Sequence, residues 1–122
     1  MQLTEAACTP APPRPPRIVV GVGHSRRLIR GAVRYADELN LYASEDVLRY
    51  ARQAIAESER PIDISVYLHF DWGQWPADLA GVLAKWEDQG VQRAFVNIGY
   101  EANLAQRVTE LARYGAGYPN GQ

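Results

Sequence analysis

The chain has 122 residues, of which 47% are hydrophobic, and its formal net charge is −1. This length fits one domain, and the apolar content is sufficient for a core without disulfide or metal cross-links. The small net charge argues against a general nucleic-acid surface, and no apolar run approaches the length of a membrane span. The single cysteine, Cys8, excludes an internal disulfide framework. The composition therefore predicts a cytoplasmic protein without nucleic-acid or membrane partners.

Prolines dominate the first segment, residues 1–16, which carries five of them between positions 10 and 16. Proline cannot enter a helix interior or a central strand, so this segment is predicted to be a tail or linker. The folded domain is predicted to span residues 17–114, and residues 115–122 are predicted to be a disordered tail. Six arginines lie between positions 14 and 34, and no acidic residue occurs between positions 6 and 36. This run of arginines predicts either a solvated helix face or contacts with an anionic ligand.

The first strand is predicted at Arg17–Gly21, an apolar and β-branched run that suits a strand buried on both faces. Ser25 is typical of a helix N-cap, and the helix is predicted to continue to about Ala36. Its apolar spacing predicts an inner face made of Leu28, Ala32, Tyr35 and Ala36.

The middle of the chain predicts two further strand–helix units. Glu38–Tyr42 is a short strand, and Ser44 precedes a helix whose predicted inner face is Val47, Leu48, Ala51 and Ile55. Alternation of apolar and polar residues predicts a third strand over Ile62–Phe70. A loop to Pro76 follows, and the next helix is predicted to bury Leu79, Val82, Leu83 and Trp86.

Gly90 predicts the end of that helix, and Gln92–Ile98 predicts the fourth strand. The last helix is predicted to bury Leu104, Val108, Leu111 and Ala112. Four consecutive βα units predict an α/β fold with parallel strands and right-handed crossovers. They form either a small doubly wound sheet or half of a (β/α)8 barrel. A half barrel has two unpaired strand edges, which predicts partner strands or aggregation.

Three motifs follow one another between residues 13 and 100. They are a proline-led strand ending in the pair Gly21 and Gly23, an alanine-rich helix ending in Tyr35-Ala36-Asp37, and a helix followed by Gly90-Val91 and a last apolar strand. Their order and spacing resemble the C-terminal portion of the luciferase-like monooxygenase family, whose members are flavin- or deazaflavin-dependent TIM (β/α)8 barrels. The chain departs from the family at Glu38-Leu39, where the family has Gly-Trp.

The resemblance covers none of the N-terminal half of the family's barrel. It implies a truncated member, a fragment, or one half of a barrel completed by a second copy or another chain. The implied cofactor is FMN or the deazaflavin coenzyme F-420, and the implied reaction is monooxygenation with dioxygen or hydride transfer. In the family the missing half supplies much of the ring pocket and most substrate contacts, so the chain alone is expected to be inactive.

The turn after the first strand is the predicted site for the cofactor phosphate. Glycines let a ligand approach the backbone closely, and amide groups at a helix N-terminus attract anions. By resemblance, this turn would hold the phosphate with Gly21, Gly23, His24, Ser25 and Arg26. The competing interpretation is an ordinary βα turn whose glycines serve tight packing.

A dinucleotide-binding fold is a further alternative, because Gly21-x-Gly23 opens like its fingerprint. Asp37 or Glu38 lies near the acidic position that such a fold uses for a ribose. However, Arg26 stands where the third small residue is expected. A small doubly wound nucleotide-binding domain and a non-catalytic interaction domain are the two rival functions.

His69 is the candidate catalytic residue, because it lies near the carboxyl end of a strand, where barrel active sites occur. It could transfer a proton, or it could make a structural hydrogen bond. Trp72 and Trp75 could cover a flat ring or pack the loop onto the adjoining helix. Asn97, at the end of the last strand, could bind a ligand carbonyl, and His24 could be either a ligand contact or an exposed loop residue.

Overall fold

The computed structural model describes residues 14–70, 74–98 and 103–115. These residues form strands β1 (Val19–Gly23), β2 (Glu38–Tyr42), β3 (Asp63–His69) and β4 (Arg93–Asn97), and helices α1 (Arg26–Ala32), α2 (Glu45–Ser58), α3 (Leu79–Asp88) and α4 (Leu104–Gly115). The alternation confirms the predicted α/β class and its four βα units. In the described part of the chain, no helix has the length and apolar character needed to cross a membrane.

Several predictions fall on residues that lie outside the described ranges. These are the greater part of the proline-rich tail, residues 1–13, the loop residues Asp71 and Trp72, and residues 116–122. Gly115, which was predicted to begin the C-terminal tail, is instead the last residue of α4.

The four strands form one parallel sheet in the order β1-β2-β3-β4. Each strand therefore pairs with the next strand in the chain. A doubly wound sheet reverses its strand order at a switch point, and the described sheet has no such reversal. The doubly wound alternative is therefore wrong for these four strands.

The two faces of the sheet carry different side chains. One face packs against the helices and is apolar, and its buried residues include Leu39, Leu41, Ile64, Val66 and Leu68. The alternate positions point to the other side. We call that side the open face; it carries Glu38, Asn40 and Tyr42 of β2, Asp63, Ser65, Tyr67 and His69 of β3, and Arg93, Phe95 and Asn97 of β4. Tyr42 and Phe95 remain 48% and 41% exposed there.

Helix α1 ends at Ala32, earlier than the predicted Ala36, and this segment buries a different stripe from the predicted one. The buried residues are Ile29 and Ala32 in the helix and Val33 and Ala36 after it, so only the two alanines of the predicted face are confirmed. Leu28 and Tyr35 are 53% and 54% exposed, and their predicted burial is wrong. Leu28 lies on α1 and Tyr35 lies just after it, both beside Val20 of β1, where the described sheet has no further strand for them to cover.

Strand β1 is also more exposed than predicted. It begins at Val19 rather than Arg17, and Ile18 and Val19 are 44% and 41% exposed. Gly21 is exposed as well, whereas Val22 is buried among the helices. The prediction of a strand buried on both faces is therefore wrong, because β1 forms an edge of the sheet.

The two central helices pack largely as predicted. Helix α2 buries Leu48 and Ala51, and Val47 and Ile55 pack partly buried against the same core. Helix α3 buries Leu79 and Trp86, with Val82 and Leu83 partly buried. It starts later than Pro76, because the Asp78 carboxylate accepts the Gly81 amide at 3.0 Å and caps the helix.

Helix α4 packs with less of its apolar face than predicted. Leu111 lies against the core, but Leu104 and Val108 are 48% and 50% exposed, and Ala112 is exposed too. The predicted inner face is thus wrong for three of its four members. The physical reason is that β4 is the second edge of the described sheet, so no following strand lies beside it for α4 to cover.

Candidate functional site

Four aromatic side chains come together where the first three strands end. His24 directly follows β1, Tyr42 ends β2, and Tyr67 and His69 lie at the end of β3. The ring centroids are 5.3 Å apart for His24 and Tyr42, 6.0 Å for Tyr42 and His69, and 4.5 Å for Tyr67 and His69. We call these four residues the carboxyl-end cluster. The fold thus brings both candidate histidines, His24 and His69, into ring contact with the same tyrosine, Tyr42.

The fourth strand extends this cluster across the open face. Phe95 pairs in register with Tyr67, and Asn97 pairs with His69. Residues paired in parallel strands point to the same face, so the predicted amide and the predicted imidazole are neighbours. Together they offer aromatic surface for a flat ring, an imidazole for proton transfer and an amide for a carbonyl group.

The glycine turn beside the cluster has one position that needs glycine. Gly23 has a φ of 58°, and a Cβ there would lie 3.4 Å from the ring of Tyr42. The pairing register with β2 also shifts between Gly21 and Gly23. Gly21 differs, since a Cβ added there would meet open space. Gly23 therefore shapes the turn, whereas Gly21 leaves part of the open face without a side chain.

Ser25 caps α1 as predicted. Its hydroxyl oxygen accepts the Leu28 amide at 3.2 Å, and its own amide donates to the Val22 carbonyl at 2.9 Å. The predicted phosphate site therefore loses the amide of Ser25 to an internal bond. Helix α1 has only seven residues, which further limits its N-terminus as an anion site.

Arg26, the arginine predicted to contact a phosphate, packs against the neighbouring helix α2. The Arg26 guanidinium lies 5.0 Å from the ring centroid of Tyr50 in α2, and Arg30 donates to the Tyr50 hydroxyl at 2.8 Å. These contacts favour the interpretation of the arginine-rich segment as a helix face that packs locally. The contact of Arg26 with a phosphate stays a prediction.

An ion-pair network at the opposite, amino end of the sheet was not predicted. Glu38 has a side chain that is 1% exposed, and it accepts hydrogen bonds from Arg17 and Arg93 at 2.9 Å each. Arg17 also reaches Asp63 at 2.6 Å. Burial alone would raise the pKa of Glu38, but hydrogen bonds from Arg93, Ser65 and Arg17 outweigh it and lower that pKa. We call these residues the amino-end network.

This network occupies one of the two acidic residues that a dinucleotide fold could use. Both carboxylate oxygens of Glu38 are held by arginines, and the Asp37 carboxylate accepts the Ile18 amide at 2.8 Å. Glu38 is therefore not presented to a ribose hydroxyl, and one oxygen of Asp37 is engaged by the backbone. The sequence carried a signal for the network, since Glu38 occupies an apolar strand, but its arginine partners are 21 and 55 positions away.

Trp75 packs within the protein. Its ring lies 5.4 Å from the ring of Phe70, and the Arg107 guanidinium of α4 lies 4.9 Å from its centroid. These contacts favour the packing interpretation of Trp75 over a role in covering a flat ring.

The protein is an α/β protein whose parallel strands pair in chain order, with aromatic and histidine side chains at the carboxyl ends of the strands. Comparison of the chain with family models, curated proteins and solved structures finds no match. The resemblance to the luciferase-like family therefore stays a prediction. Among the described residues, no group of three or more His, Cys, Asp or Glu side chains could hold a metal ion.

Proposed function

We propose that this chain is one half of a TIM (β/α)8 barrel and contributes to a flavin-type cofactor site at the carboxyl ends of its strands. The carboxyl-end cluster is the observation that carries the proposal, because barrel active sites lie at that end. The cofactor is FMN or the deazaflavin coenzyme F-420, and the activity is that of a luciferase-like oxidoreductase or monooxygenase in the completed barrel.

The strand order supports the half-barrel architecture. Right-handed crossovers that always step to the next strand in the same direction place every helix on one face of the sheet. The opposite face then becomes the barrel interior, which barrels fill with layers of inward side chains. The open face has such rows in register, including Asn40, Ser65 and Arg93, and above them Tyr42, Tyr67 and Phe95.

The chemistry of the cluster supports a flat, redox-active ligand. Tyr42 and Tyr67 offer aromatic surface to an isoalloxazine-like ring, and Asn97 could donate to one of its carbonyl groups. His69 lies beside both and is our candidate for proton transfer. The bound cofactor would supply the redox chemistry, and the phosphate would lie at the turn of Gly23 and His24.

The test is a fluorescence and thermal-shift titration of the purified chain with FMN and with F-420, at low and at high protein concentration. We expect saturable binding, and we expect Tyr42→Leu to weaken it about tenfold. Ala56→Leu is the control, because Ala56 is exposed on α2, on the helical side of the sheet. Equal affinities of the two variants, or no saturable binding by the folded chain at either concentration, would refute the proposal.

A separate observation favours the second candidate, a non-catalytic interaction domain. Large apolar side chains are exposed along both edges of the described sheet, among them Leu28 and Val108. A folded chain that assembles but binds neither cofactor would support this candidate.

A further inference from the structure

Large hydrophobic side chains are exposed where an incomplete barrel would leave them uncovered. Four lie in or beside β1 and α1, two on the open face, and three on α4, namely Ile18, Val19, Leu28, Tyr35, Tyr42, Phe95, Leu104, Val108 and Tyr114. Among the described residues, the two central helices carry none of them. Scattered surface apolar residues would not concentrate at the two edges and on the open face in this way.

Each edge also presents a groove beside a strand whose outer side has no partner in the described sheet. One groove lies beside α1 and β1, and the other lies between α3, β4 and α4. Their apolar linings include Val20, Leu28 and Tyr35 at the first edge and Leu83, Val96 and Leu111 at the second, and charged side chains such as Arg34 and Glu87 complete them. The two edge strands are equally long, with five residues each. Backbone hydrogen bonds and side-chain packing are therefore available together at both edges.

We propose that a second copy of this chain docks on both edges, with β4 of each copy beside β1 of the other. The four strands are parallel to one another. A two-fold axis that runs along the strand direction therefore makes the new β4–β1 pairs parallel as well. The contact then occurs twice, closes an eight-stranded barrel and leaves no edge unpaired. This inference rests on the half-barrel part of the proposed function and not on the cofactor.

The exposed apolar area is sufficient for a stable dimer. Seven of the nine residues lie at the two edges; they are between 40% and 54% exposed, which corresponds to roughly 450 Å² of apolar surface per copy. A standard interface buries about 800 Å² per partner, of which a little over half is apolar. The second copy therefore has enough hydrophobic surface to cover without any rearrangement of the described chain.

The same arrangement accounts for the unexpected exposure of two helix faces. In a closed barrel α4 of one copy lies next to α1 of the other. Leu104 and Val108 would then meet Leu28 and Tyr35 of the second copy, so all four side chains would be covered. The two open faces would form one interior, and each carboxyl-end cluster would face its copy across the axis.

Light scattering coupled to size-exclusion chromatography tests the assembly. We expect a mass about twice the 13.6 kDa of one chain. Leu28→Glu and Val108→Lys should each raise the dimer dissociation constant at least about tenfold, because each puts charge into both contacts. Mixing the two variants should restore dimers, since one contact then pairs opposite charges and the other is unchanged. Ala56→Lys, at an exposed position of central helix α2, is the control and should leave the dimer unchanged.

Three results would overturn the inference. They are a monomer at every concentration, a dimer that only one of the two edge variants dissociates, and an open-ended series of larger species. Circular dichroism checks that each variant is folded, and Tyr35→Glu with Leu104→Lys replaces the pair if either fails to fold. Cofactor titration of the same samples separates the two proposals. A monomer that binds FMN would refute only the proposed dimer, and a dimer that binds neither cofactor would refute only the proposed cofactor site.

Discussion

Replacing Glu38 with glutamine tests whether the buried carboxylate stabilises the amino end of the sheet. The change keeps the size of the side chain, but it removes the charge and turns an amide nitrogen toward one of two guanidinium groups. Hydrogen bonds to charged groups contribute about 1.5–3 kcal/mol each, and breaking a fully buried pair costs about 3–5 kcal/mol. Arg17 and Arg93 are 47% and 48% exposed and stay hydrated after the change. We therefore expect a loss of about 2 kcal/mol in the free energy of unfolding.

The same carboxylate makes the stability depend on pH. Its pKa in the folded chain lies below the ordinary value of 4.5, so between these two pKa values the unfolded chain binds more protons than the folded chain. The stabilisation by Glu38 is fully present above the ordinary pKa and is lost as the pH falls through the lowered one. Acidification should therefore destabilise the Glu38→Gln variant less than the parent chain.

Urea denaturation followed by circular dichroism, at about pH 7 and at about pH 4, measures both effects. Glu87→Gln is the matched control, because Glu87 is exposed on α3. It should stay within about 0.5 kcal/mol of the parent chain. If the two variants are equally stable at neutral pH, the network does not stabilise the sheet and our reasoning fails.

Three further predictions test the local structure by the same denaturation assay. Gly23→Ala should destabilise the chain by about 1–2 kcal/mol because of its positive φ, whereas Gly21→Ala should have little effect; equal losses would contradict the assigned turn. Ile29→Ala should lower the free energy of unfolding by about 2–5 kcal/mol, and Leu28→Ala should lower it much less in the monomer. A larger loss for Leu28→Ala would show that Leu28 is buried, as its sequence spacing predicts. Arg60→Met removes hydrogen bonds of 2.8 and 3.1 Å to the carbonyls of Val33 and Ala36, which follow α1, and should cost about 1–3 kcal/mol. An unchanged denaturation midpoint would show that water replaces these bonds.

Local patterns were sufficient to predict the elements of the fold. The bounds of β2 are those predicted, and the inner faces of α2 and α3 follow the predicted spacing. The faces of α1 and α4 were not predictable in the same way. Leu28 and Val108 have the spacing of buried residues, but burial depends on a neighbouring strand, and local periodicity does not show which strands lie at a sheet edge.

The candidate site was predictable only in part. His24 and His69 could be chosen from their positions at strand ends, but their common contact with Tyr42 depends on how three strands are aligned. The amino-end network depends on alignment in the same way, since Arg93 reaches Glu38 across the intervening strand β3. Register between distant strands is a tertiary property, so single-segment reasoning could identify candidate residues but not these partnerships.

The order of the strands also determines how the chain can acquire its structure. Contacts between successive strands join positions 19, 25 and 28 residues apart, as in Ile18 with Asp37, Asn40 with Ser65, and Ile64 with Gln92. The entropy of closing these loops differs by only about 0.3 kcal/mol, so each unit joins its predecessor at nearly the same cost. During synthesis the sheet can therefore grow from its first strand onward as the chain leaves the ribosome, without waiting for a distant segment.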